Sequence, residues 1–141
     1  MATTFSLQLV TPTGVVFEGD VEEVTATGPF GQFGVLADHI NFITSLLPGA
    51  LEIKHAGGST EIWVISGGLA EVKDGVMTVL ASGAEAPASI DRSAAAADEQ
   101  AADQKIAEMS FYDAEYPAAQ DALMLARARA QAADASPRAA H

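Results

Sequence analysis

The sequence predicts a β plus α chain: an N-terminal antiparallel β-sandwich, or flattened barrel, followed by a C-terminal antiparallel two-helix hairpin. Three observations carry that expectation. Up to residue 83, short apolar-rich runs alternate with Gly, Pro and Asp-Gly turn signals. The β pattern ends at Ala84 to Ser89, where Pro87 interrupts it. From Ile90 onward the chain is rich in Ala, Glu, Gln and Lys and contains no Gly, a composition that favours helix.

Taken in order, Phe5, Leu7 and Leu9 alternate with Ser6 and Gln8 as in a half-buried strand, and Thr11-Pro12-Thr13-Gly14 ends it. Val15-Val16-Phe17 reads as a second strand, Glu18-Gly19-Asp20 as a turn, and Val21 to Ala26 as a third strand with a bulge or edge position. Phe30 to His39 packs two Phe, a Val and a Leu among close glycines, the signature of a shaped corner. Leu51 and Ile53 alternate with Glu52 and Lys54 up to a turn at Gly57-Gly58, and Ile62-Trp63-Val64-Ile65 suggests a strand covered on both faces. Ser66-Gly67-Gly68 breaks that run and reads as a turn. Leu69 to Val72 and Val76 to Leu80 then flank Asp74-Gly75 as a hairpin. In the helical part Asp91 is the expected N-cap, with Ile90 before it and a helix reaching about Met109. Ser110 to Asp113 connects to a second helix, which starts near Pro117 and is stopped by Pro137. The expected domains are 1–86, a sandwich, and 88–141, a hairpin whose mostly Ala apolar side packs weakly.

Composition narrows the function. Nineteen acidic residues against seven basic ones give a net charge of −12, which opposes binding to nucleic acid or to an anionic lipid surface. Residues 118–141 are the net-basic stretch, with Arg127, Arg129 and Arg138 against Asp121 and Asp134. There is no cysteine, so disulfide and thiolate chemistry are excluded. Met1 to Val10 lacks the pattern of a signal peptide, and Ile40 to Leu51 is too short to span a bilayer, so membrane association is expected only through a complex. His39, His55 and His141 lie far apart, with no metal-site spacing. No phosphate-binding loop, nucleophile elbow or dinucleotide fingerprint is present, so neither a catalytic set nor a cofactor is expected.

Several segments together resemble the epsilon subunit of the bacterial F-type rotary ATP synthase. They are Val10-Thr11-Pro12, Phe17-Glu18-Gly19, Gly31-Gln32-Phe33-Gly34-Val35-Leu36 through His39, Leu47-Pro48-Gly49, Ser66-Gly67-Gly68 with Glu71-Val72, Val76 to Ala81, Ala84-Glu85 and Ile90-Asp91. The resemblance implies a subunit with no catalytic residues of its own. Its sandwich would join the gamma subunit, at the foot of the central stalk, to the c-subunit ring during proton-driven synthesis. Its hairpin would either fold against the sandwich or extend to the alpha and beta subunits of the catalytic head and restrain ATP hydrolysis. The location implied is peripheral, on the cytoplasmic face of the bacterial plasma membrane.

On that resemblance Gln32, Asp38 and His39 are the candidates for contact with the c ring, whereas Phe33, Val35 and Leu36 are expected in the core. The family often has a carboxylate where Gln32 stands, and Pro-Gly where Ala37-Asp38 stand. Arg127 and Arg129 are the candidates for engaging the head, since Arg grips carboxylates bidentately; the bland alternative makes them solvated surface charges. Some members bind ATP as a regulatory ligand through an Ile or Leu-Asp-x-x-Arg-Ala motif and two further arginines. Here Ile90, Asp91 and Arg127 or Arg129 are the matching positions, with Ala94 in place of the motif's Arg. The rival readings are a stand-alone nucleotide-sensing sandwich module and a small hydrolase, which would need a nucleophile and base meeting in a pocket.

Overall fold

The computed structural model describes residues 3–135. Ten strands come first: β1 Phe5–Thr11, β2 Gly14–Val21, β3 Glu23–Gly28, β4 Gly31–Leu36, β5 Phe42–Leu46, β6 Gly49–Lys54, β7 Thr60–Ile65, β8 Gly68–Lys73, β9 Val76–Ala81 and β10 Ala84–Glu85. A 3-10 turn, Pro87–Ser89, leads into helices α1 Arg92–Ala107 and α2 Tyr116–Ala135. The expected sandwich and hairpin are both present. Pro137, Arg138 and His141 lie outside the described residues.

The strands form two five-stranded sheets, β2-β1-β9-β8-β5 and β10-β7-β6-β3-β4. All pairs are antiparallel except β1 with β9, which run parallel because the chain crosses into the other sheet and back between them. Alternate residues of each strand point inward, and Leu7, Leu9, Val24, Leu51, Ile53, Met77 and Val79 are fully buried between the sheets. Each such side chain contributes on the order of 2 kcal/mol by leaving water.

Three local expectations are corrected. Glu18-Gly19-Asp20 is strand, not turn: these residues pair with Gln8, Leu7 and Ser6 in the edge strand β2, where the exposed edge accommodates both charges. Residues 21–26 are not one bulged strand. Val21 ends β2 in the first sheet and Val24 lies in β3 of the second, so the broken alternation marks the chain crossing between sheets while both valines stay buried. The bulge lies instead in β2, where Leu9 faces Phe17 and Val10 faces Val15, leaving Val16 without a partner in the register. Phe30 to His39 is a hairpin arm, β4, followed by a turn at Ala37-Asp38, where Asp38 has φ 66°. Within it Val35 is buried and Phe33 packs partly into the core. Leu36 is 55% exposed, because it shares the outward side of β4 with Gln32 and Gly34.

The apolar run in β7 has the double burial that its sequence suggests. Trp63 and Ile65 enter the sandwich core, while Ile62 and Val64 face outward and pack with Ala128 and Ala132 of α2, flanked by Ala50, Ile90 and Leu125. Residues 125, 128 and 132 share one helical face, and the small side chains of Ala128 and Ala132 let α2 lie close to the sheet. Asp91 caps α1, its Oδ1 accepting from the Ala94 N–H at 3.0 Å. The α1–α2 connection is tied by hydrogen bonds from Asp113 N–H to the Ser110 carbonyl and from Tyr116 N–H to the Asp113 carbonyl.

Ser66-Gly67-Gly68 turns the chain from β7 into β8 with φ 101° at Gly67 and 152° at Gly68. A Cβ at Gly68 would collide with the Leu80 carbonyl oxygen of the paired strand. Gly68→Ala is therefore expected to destabilise the sandwich by ~3 kcal/mol or more, read as a fall in the thermal midpoint by circular dichroism. An unchanged midpoint would show that the β7–β8 corner yields.

Candidate functional site

Both sheets leave an edge free on the same side of the sandwich, β4 in one and β5 in the other. The Phe33 and Phe42 rings meet edge-on across the gap with centroids 5.7 Å apart, and His39 lies against Phe42 at 4.9 Å. The His39 ring is held by its own loop, with Nδ1 2.8 Å from the Ile40 carbonyl oxygen. A groove of about 370 Å³ runs along this rim, lined by residues that include Phe30, Gln32, Phe33, His39, Phe42 and Ile43. Gln32 and His39 are thus brought together, whereas Asp38 sits in the turn and is not part of the lining. Phe30 is fully exposed at the β3–β4 turn, and Ile40 and Ile43 are also exposed. The rim is therefore an apolar surface with a few polar groups at its margin.

A second apolar surface crosses the outer face of the first sheet. Strand register lines up Ser45, Leu69, Leu80, Val10 and Val15 in one row across five strands. Leu69, Leu80 and Val15 are each about half exposed, at 45%, 50% and 53%. A shallow depression of about 420 Å³ follows the row and takes in Thr11 and Pro12. Exposed apolar side chains aligned over several strands are an unusual surface for a protein that stays alone. Sequence reasoning missed this row. The available signal was apolar residues at both parities of β8 and β9, but only the register shows that they are neighbours.

On the helical side, each arginine of the described residues meets an aspartate across the seam between α1 and α2. Arg92 Nε lies 2.9 Å from Asp134 Oδ1, Arg127 Nη2 donates to Asp103 Oδ1 at 3.0 Å, and Arg129 Nη1 donates to Asp98 Oδ2 at 3.2 Å. Arg129 also reaches the sandwich, with Nε 2.9 Å from Glu85 Oε2 of β10. That nitrogen is shielded from solvent and not aligned for a hydrogen bond, so its attraction to Glu85 is Coulombic. The four positions matched to an ATP motif are all engaged within the chain: Ile90 in the β7–α2 contact, Asp91 as a cap, Arg127 and Arg129 in ion pairs.

The remaining polar cluster is structural. Glu61 accepts from Trp63 Nε1–H at 2.5 Å and lies 2.6 Å from His55 Nε2, while Phe17 of β2 rests against both rings. Among the described residues no group of three His, Asp or Glu side chains is placed to hold a metal ion. No described helix is long and apolar enough to cross a membrane. What the surface offers is two exposed apolar faces and an ion-paired helical appendage.

The β-sandwich domain of the ATP synthase delta/epsilon chain matches residues 4–87. The ATP synthase epsilon chain of Caldanaerobacter subterraneus is 41% identical over 130 residues, 92% of this chain and 93% of that one. That of Desulfosudis oleivorans is 40% identical over 106 residues, 75% of this chain and 80% of that one. Among solved structures, a chain in the Euglena gracilis mitochondrial ATP synthase (OSCP/F1/c-ring) superposes with a TM-score of 0.74 at 29% identity, covering 90% of this chain and 79% of that one. A chain in the Tetrahymena thermophila mitochondrial ATP synthase central stalk and c-ring shares the fold with a TM-score of 0.60 at 16% identity, covering 93% and 97%. With the relatives spanning both sandwich and helices, the chain belongs to the family of ATP synthase epsilon chains.

Proposed function

We propose that this chain is a non-catalytic rotor subunit of an F-type ATP synthase, linking the gamma subunit to the c-subunit ring and restraining ATP hydrolysis through its hairpin. The observation that carries the proposal is the pair of exposed apolar surfaces on one rigid sandwich. A part that passes torque between two partners needs two separate faces and little give between them. The rim at β4 and β5, with Gln32 and His39 in the groove and Asp38 beside it, is assigned to the c ring. The row Val10, Val15, Leu69 and Leu80 is assigned to the gamma subunit. Solved relatives named for F1, the central stalk and the c-ring support that company.

The division of labour falls at the sandwich–helix junction, with residues 1–86 docking and 88–141 regulating. Ala128 and Ala132 each bring one methyl group to β7, worth ~0.8 kcal/mol apiece, where a leucine would bring ~2 kcal/mol. A second weak point is a gap of about 290 Å³ between the helices near their connector, lined largely by Ala102, Ala118, Ala119 and Ala122. Contacts on that scale leave the folded and extended hairpins within a few kcal/mol, the range a partner can tip. Once extended, Arg127 and Arg129 would present their guanidinium groups to carboxylates of the alpha and beta subunits. The chain would then sit at the cytoplasmic face of the bacterial plasma membrane, held there by the complex. ATP is not required as a cofactor in this mechanism.

Reconstitution with the gamma subunit, c ring and catalytic head tests both parts. The full chain and a chain ended at Ala88 should both associate, and the shorter one should give faster ATP hydrolysis. Failure of the full chain to associate would remove the rotor assignment, and equal hydrolysis rates would remove the inhibitory one. Leu80→Gln should weaken association with gamma about tenfold, ~1.4 kcal/mol, while leaving the thermal midpoint nearly unchanged, because Leu80 lies outside the core. Undiminished binding would show that the row is not the gamma face.

A further inference from the structure

Among the described residues, Arg129 differs from the other two arginines of the hairpin, Arg92 and Arg127. Its side chain is 27% exposed, against 55% for Arg92 and 57% for Arg127, and it contacts two acids from two different elements. Glu85 is paired in register with Val64, whose side chain faces α2, so Glu85 shares that outward face and meets the helix. Asp98 comes from α1. One guanidinium therefore joins sandwich, first helix and second helix, and its contact with Glu85 crosses the seam that must open if the hairpin is to leave the sheet.

We propose that Arg129, with Glu85 and Asp98, is an ionic latch that holds the hairpin on the sandwich and springs when the guanidinium is withdrawn. With Arg129 in place, both carboxylates are drawn to a single positive charge. Without it, two like charges within the span of one guanidinium face each other across the sandwich–helix seam. Loss of the cation thus replaces attraction by repulsion, so a partner carboxylate that captures Arg129 both releases the hairpin and drives it away. Arg127 with Asp103 and Arg92 with Asp134 join only the two helices and are more exposed; they keep the hairpin together while it swings. The latch is a property of the isolated chain, and its effect on hydrolysis rests on the inhibitory function proposed above.

The chain has no cysteine, so Ser59→Cys and Ala101→Cys, both at exposed positions, allow two spin labels to be placed on sandwich and hairpin without competition. Pulsed electron resonance on the full chain at low salt should give one dominant distance. Glu85→Gln should raise the longer-distance population about tenfold, and Arg129→Met should raise it further, because that change leaves the two acids unopposed. About 0.5 M NaCl should lengthen the distance in the unmodified chain while narrowing the difference between the two variants, as screening weakens both attraction and repulsion. Asp103→Asn, which leaves the sandwich contact intact, should not change the distribution. If Glu85→Gln and Arg129→Met both match the unmodified chain, the latch is overturned. In the assembled enzyme Glu85→Gln should slow ATP hydrolysis about twofold or more. A shifted distance with unchanged hydrolysis would uphold the latch and contradict the inhibitory role.

Discussion

Strand β7 carries apolar side chains on both faces, and that double burial sets the relation between the two halves of the molecule. Trp63 and Ile65 belong to the sandwich and cannot leave without unfolding it. Ile62 and Val64 belong to the contact with α2 and can be exposed at a cost limited by the small residues opposite them. A single strand thus provides sandwich core on one side and a lightly packed seat for α2 on the other. The alanines of α2 let the helix come close, yet supply little area to keep it there.

Where packing is weak, charge has more influence. The chain carries a net −12, and among the described residues the three arginines of its helical part are each set against acids inside the protein. Arg127 and Arg129, which help make the C-terminal stretch look basic in sequence, are therefore neutralised in the folded hairpin. Arg127 and Arg129 become available to a partner only as Asp103, Asp98 and Glu85 release them. This makes the proposed engagement of the catalytic head an exchange of carboxylates, with a modest net free energy, as a reversible regulator requires. The sandwich has the opposite character. The two faces proposed for docking are apolar, as contacts that stay made during rotation require.

Much of the fold was legible in the sequence because periodicity and turn chemistry are local. Asp74-Gly75 marks its hairpin, and both residues take positive φ there. The uninterrupted run Ile62 to Ile65 gives away a strand buried on both sides, and Asp91 announces the start of α1. What could not be read depended on pairing. Nothing local distinguishes Glu18-Gly19-Asp20 as strand, since its role comes from facing Ser6, Leu7 and Gln8. Leu36 looks like core by type and is exposed by parity. The apolar row and the Arg129 junction join residues far apart in sequence, the latter across 31 positions to Asp98. Gln32 and His39 stand out in sequence by their loop and do share a groove, but nothing local marks the aromatic and aliphatic groups that form most of it, Phe30, Phe42 and Ile43.

The central claim is that a rigid sandwich carries a helical pair held by a smaller free energy. Native-state hydrogen exchange on the full chain measures both quantities in one sample. Amides of α1 and α2 should exchange through an opening several kcal/mol easier than that of the core strands β1, β3, β6 and β9, and the gap should widen as salt is raised. Equal protection throughout, lost in a single cooperative step, would mean that sandwich and hairpin are one unit and would contradict the account.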